Sequence, residues 1–288
     1  MPIKPLFRDF FRFLDPFPAG DPWVSYRRIY LDPHAPFFRA YWKTFNHFDR
    51  RQIAARVRQI KEGDYTILRS LMQGKDPVHL SEGALQRCQA VLPLDPEPWV
   101  FLFVGFFSAD GVTLEVGGKP VIALGLERFK DFRDLPLIIA HEYGHCAQHA
   151  LLKKPFSPGE KTLFDKMVAE GLAVLFTEVV YPKVPLHRHL FLTPERLQWG
   201  WENQEALLEL VTGDLSSPKL VPVLFGAGDP RAGLPPRLGY FIARQMLGHC
   251  LTHHGAEDFG KNFSSFAGLF QKTIARETQS PGLTPKGA

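Results

Sequence analysis

Across residues 36–92 the apolar positions recur at steps of three and four, the period of helices that bury one face. Phe37, Phe38, Tyr41, Trp42 and Phe45 form one such stripe, and Ile53, Val57 and Ile60 form another. Asp49 and Ser81 are expected to cap the second and the last of these helices, with Glu62-Gly63 breaking the run. Beyond the proline-punctuated residues 93–98 the period changes. Residues 99–107 are a continuous apolar run rich in Val and Phe, the mark of a buried strand, and 112–116 and 121–126 read as shorter strands. Gly117-Gly118 supplies the positive-φ pair of a tight hairpin between the last two. The pattern predicts a small, mostly antiparallel sheet.

After the sheet the helical period returns. One helix is expected to start behind Asp134, with Pro136 in its first turn, and to end near Lys153-Lys154. Ser157 and Glu160 have capping-box spacing for the next, which carries Phe164, Val168, Leu172, Leu175 and Val179 and stops before Pro182. One further helix over about 194–211, capped by Thr193, interrupts the Pro- and Gly-rich residues 182–236. Two more cover about 237–254 and 257–276. Residues 1–22 lack periodicity and read as an arm on the surface; 277–288 read as a disordered tail. The expectation is an α+β fold, mainly helical. It forms a single domain over 23–276, with a helical part at 23–92 and the sheet and later helices at 99–276.

Composition alters this picture little. The chain has 288 residues, 45% hydrophobic and 22% charged, enough for a substantial core. The 25 phenylalanines foretell an aromatic one. The net charge of +4 traces partly to Arg50, Arg51, Arg56 and Arg58, which read as a solvated helix face, so no nucleic-acid partner is expected. Three scattered cysteines, Cys88, Cys146 and Cys250, imply no disulfide framework. With no long apolar run, neither a signal peptide nor a membrane partner is expected, and the location expected is cytoplasmic.

The chemistry concentrates in His141-Glu142-Tyr143-Gly144-His145. Two histidines four apart project from one helix face, and the glutamate beside them can reach a water on the same metal; this is the HExxH arrangement of zinc hydrolases. The preceding turn, Leu137-Ile138-Ile139-Ala140, is apolar, as a helix buried on one side requires. Gly144 would permit close approach of another backbone or a substrate. A third ligand is needed, and Glu170, inside the apolar stretch Val168-Ala169-Glu170-Gly171-Leu172, is the best candidate, since a buried carboxylate is costly unless paired or metal-bound. Gly171 would let its helix pack closely on the motif helix. His149 is the rival, but it stands about 12 Å along a straight helix from His141 and cannot converge with it on one ion. Cys146 points away from the ligand face and reads as core; His249 and His253, with no glutamate after the first, read as surface or packing residues.

His-Glu-Tyr-Gly-His followed by Glu170-Gly171-Leu172-Ala173, and then by Gly239-Tyr240, resembles the gluzincin metallopeptidases. It is closer still to a mainly bacterial family of predicted zinc-dependent proteases. The resemblance implies a zincin-like domain and one catalytic Zn2+ held by His141, His145 and Glu170. It further implies that Glu142 is the general base of peptide hydrolysis, and it offers Tyr240, with Arg237 behind it, as the donor to the oxyanion. The spacing from His145 to Glu170 exceeds that of thermolysin-like enzymes, and Val174 stands where those carry an Asp that orients a ligand histidine. Asp165 and Glu178 are the substitutes considered. An extended peptide or protein substrate is expected to pair along 121–126. The competing readings are a zinc hydrolase of a non-peptide amide and a non-catalytic zinc-binding regulatory module.

Overall fold

The computed structural model describes residues 2–15, 17–45, 50–61, 63–106, 109–152 and 162–252. They contain β1 (Ile3–Pro5), α1 (Phe7–Leu14), α2 (Pro22–Tyr26), α3 (Ala35–Phe45), α4 (Arg50–Arg58), α5 (Thr66–Gly74) and α6 (Pro77–Val91). Then come β2 (Trp99–Phe103), β3 (Gly111–Val116), β4 (Lys119–Gly125), α7 (Leu135–Leu152) and α8 (Leu163–Val180). The last are α9 (Leu186–His189), α10 (Pro194–Glu202), α11 (Gln204–Thr212) and α12 (Leu238–Thr252). The fold is α+β and mainly helical. The chain divides into two compact units, one running through Ala150 and one holding the elements from α8 onward. Among the described residues no helix is long and apolar enough to cross a membrane.

The first unit is built on a four-stranded sheet of order β1-β2-β4-β3. It is mixed, not mostly antiparallel. β1 and β4 both pair parallel to β2, and only β3 runs antiparallel to β4. The sequence reveals the one local pairing, the β3–β4 hairpin, whose Gly117 and Gly118 take φ of 58° and 79°. The parallel pairs join segments distant in the chain, which periodicity does not report. Residues 1–22 are not a surface arm: β1 adds to the sheet, and α1 buries Phe7, Phe10, Phe13 and Leu14. Phe10 meets Tyr30 and Tyr65 at centroid distances of 5.4 and 4.7 Å, and Phe13 meets Tyr26 at 5.4 Å. β2 also ends earlier than expected, at Phe103, because the Tyr30 hydroxyl takes up both the N–H and the carbonyl of Val104 and Phe106 turns left-handed at φ 61°.

The strand register puts Phe101, Phe103, Ala123 and Val112 on one face and Leu102, Leu124, Gly111 and Thr113 on the other. α3 covers the first face, with Phe37 stacked on Phe101 at 4.6 Å and Tyr41 edge-on to Phe103 at 4.6 Å. α7 approaches the second: a Cβ on Gly111 would lie 2.6 Å from Ile138 Cγ2. The strand expected to receive a substrate, β4, lies between β2 and β3 and has both edges taken, so β3 is the edge strand on that side.

Helix ends differ in detail. Asp76 caps α6 by accepting from Val78 N, and Ser81 sits inside that helix with its hydroxyl on the Pro77 carbonyl. Asp49 and the Ser157/Glu160 pair lie outside the described residues; α8 starts at Leu163 under Thr162, which accepts from Asp165 N. Thr193 caps α10 as expected, but a break at Asn203 separates α10 from α11. In the second unit α8 packs on α12. Gly171 makes this possible, since a Cβ there would lie 2.4 Å from Leu247 Cδ1 and 2.9 Å from the Ala243 carbonyl. The glycine therefore serves the α12 contact. Glu178 and Arg244 join the same two helices through a paired hydrogen bond of 2.9 and 2.9 Å.

Candidate metal centre

α7 carries His141, Glu142 and His145 in its middle, between turns whose apolar residues are buried all round. Such a helix is held by its surroundings on every side, so its polar side chains must have partners within the protein. Tyr143 fixes one side, its buried hydroxyl donating to the Leu92 carbonyl at 2.7 Å. Cys146 is core, as expected, and burial pushes its thiol well above the ordinary range. His141 and Glu142 are buried and His145 is half-buried. The two imidazole rings stand 4.8 Å apart at 88°, one turn after another on a common face.

Glu142 is positioned from β3. The Thr113 hydroxyl lies 2.7 Å from Glu142 Oε2 and 3.0 Å from the Glu142 carbonyl, and its single proton can serve either. Gly111, on the same sheet face, leaves the room the carboxylate occupies: a Cβ there would fall 3.2 Å from both Cγ and Oε1 of Glu142. Thr113 was not singled out from sequence. Gly111, Thr113 and Glu115 alternate with Val112, Leu114 and Val116, which marks a polar strand face that would ordinarily meet water. Here that face meets α7. Gln148, also missed, lies one turn past His145 with its amide 3.4 Å from His145 Nδ1.

Glu170 is buried in the middle of α8 and pairs with Lys166, one turn earlier, at 2.6 Å. The spacing of Lys166 was available as a signal, since residues four apart on a helix face each other. Among the described residues, the ligand atoms of His141, His145 and Glu170 all lie within 4.8 Å of one another. His149, half-buried, is not part of this group. The donor set fits a metal ion: two imidazoles and a carboxylate are the hard-to-borderline ligands that zinc accepts, and three of them leave a position open.

The proposed orienting carboxylates are engaged elsewhere. Asp165 accepts from the Thr162 hydroxyl at 2.7 Å at the start of α8, and Glu178 holds Arg244. Tyr240 stands half-buried in the first turn of α12, its ring edge-on to Phe191 and Phe225 at 5.5 and 5.4 Å. Arg237, just before that helix, has φ 66°. The side chain of His249 and all of His253 lie outside the described residues.

A helix that carries two histidines four apart, with the Glu170 carboxylate as a third ligand, could hold a metal ion. The chain belongs to the family described as predicted Zn-dependent protease (DUF2268), whose model matches residues 106–261. That span takes in β3, β4 and every member of the His141–His145–Glu170 group. No curated protein and no solved structure matches the chain.

Proposed function

We propose that the protein is a zinc-dependent peptidase with His141, His145 and Glu170 as ligands and Glu142 as general base. The observation that carries the reading is the approach of three ligand atoms to within 4.8 Å beside a glutamate held by Thr113. A bound zinc ion would supply Lewis acidity, acidifying a water towards neutrality and polarising the scissile carbonyl. Glu142 would accept a proton on its carboxylate as the attacking water oxygen bonds to the carbonyl carbon, and would then deliver that proton to the departing amine nitrogen as the C–N bond breaks. Thr113 occupies Oε2, which orients Oε1 for this exchange. Tyr240 is the proposed hydrogen-bond donor to the oxygen that gains charge. An extended peptide backbone would lie along β3, the edge strand that carries Thr113.

The test is metal content together with turnover of a peptide library by the purified protein. The reading expects one zinc per chain, chelator-sensitive cleavage, and loss of cleavage with zinc retained in Glu142→Gln. Zinc binding without cleavage would favour a non-peptide amide substrate or a regulatory module. A protein that binds no zinc would remove the reading altogether.

A further inference from the structure

We propose that Lys166 is a built-in counter-ion of Glu170, balancing the carboxylate while no metal is bound and weakening the hold on a metal that arrives. This rests on the reading of His141, His145 and Glu170 as a metal-binding group.

A helical lysine ordinarily extends its ammonium into water along an apolar stem. Lys166 turns inward instead. Its side chain is 21% exposed, and its Nζ lies 2.6 Å from Oε1 of a carboxylate that is 5% exposed. The same ammonium stands 5.8 Å from the Phe225 ring centroid, so an aromatic face also adjoins the cation. At this depth solvent shields charge poorly, and the pair is strong in both senses. Without a metal, Lys166 offsets the cost of ionising Glu170 inside the fold. With a dication on the same carboxylate, the ammonium becomes a nearby like charge. Lys166 therefore stabilises the metal-free protein more than the metal-bound one, and by linkage that difference is a loss of metal affinity. A lysine that merely braced α8 would support both states alike and leave affinity unmoved.

The experiment measures zinc affinity by competition with a fluorescent chelator, and the thermal midpoint of the metal-free protein. The proteins compared are wild type, Lys166→Met, Lys166→Arg, Glu170→Gln and the Lys166→Met/Glu170→Gln double variant. In Lys166→Met the metal-free midpoint falls while zinc binds about tenfold more tightly, the scale of one removed like charge in a partly shielded site. Lys166→Arg keeps both wild-type values. In the Glu170→Gln background, Lys166→Met no longer lowers the midpoint. If Lys166→Met folds only with metal, it is purified in zinc and its rate of zinc loss to chelator is compared with that of wild type, slower loss being the expected result. Unchanged or weaker zinc binding in Lys166→Met overturns the proposal and leaves the metal centre standing. A wild-type protein that binds no zinc sinks both.

Discussion

Glu142 has one carboxylate oxygen, Oε2, on the Thr113 hydroxyl, and this division of labour makes separable predictions. Glu142→Gln is expected to lower kcat by about a hundred-fold to ten-thousand-fold, the usual worth of a general base, with zinc content unchanged. Thr113→Val should lower kcat about tenfold with KM nearly constant, because it frees the carboxylate to rotate without touching substrate binding. Thr113→Ser should keep most of the activity; a Thr113→Val variant as active as wild type would show that Thr113 matters only for packing. His189 gives a prediction of a different kind. It is buried between the Thr177 hydroxyl at 2.9 Å and the Val184 carbonyl at 3.2 Å, and burial holds its imidazole below the ordinary 6.5. The folded state thus binds fewer protons than the unfolded one just below that pH. Its contribution to stability is complete above 6.5 and is lost as pH falls through the folded value. Urea unfolding between pH 7.5 and 5 should show this slope, and His189→Gln should flatten it whatever its effect on stability at neutral pH.

At the scale of elements, the site depends on how two helices are held. β3 fits against α7 because Gly111 presents no side chain to Ile138 and Glu142. α8 fits against α12 because Gly171 presents none to Leu247 and Ala243. Neither glycine needs a left-handed backbone; both are places where a methyl group has no room. Gly171→Ala is expected to destabilise the protein by about 1–3 kcal/mol through overpacking, read as a lower midpoint in thermal or urea unfolding. An unchanged midpoint would mean that α12 yields easily. The sequence placed the start of α7 and the end of α8 well because apolar spacing, prolines and the Asp134 and Pro182 boundaries are local signals. It did not reveal which helix Gly171 approaches, since a glycine in a helix announces closeness and not the identity of the neighbour.

For the molecule as a whole, the first residues are integral to the first unit. β1 completes the sheet on the far side of β2, and α1 places Phe10 and Phe13 in the aromatic core, essentially without solvent contact. Deletion of residues 1–14 should therefore abolish cooperative unfolding, where a true surface arm could be removed with little effect. Circular dichroism and a thermal melt of the shortened chain would decide between these outcomes. Metal should act on the same scale: zinc added to chelator-treated protein is expected to raise the midpoint in proportion to the logarithm of its concentration over Kd.

By itself the sequence determined the helix that bears His141, Glu142 and His145, the hairpin at Gly117-Gly118, and Glu170 as the carboxylate that an apolar helix could not carry without a partner. These are legible because helical period, turn chemistry and the cost of burying charge act over a few residues. Tertiary structure alone decided the parallel pairing of β1 and β4 with β2, the inward turn of Thr113 to Glu142, and the burial of the first helix. Those depend on contacts between distant segments. Phe10 reads as an irregular aromatic until Tyr30 and Tyr65 surround it, and Thr113 reads as a solvent-facing strand residue until α7 lies over it.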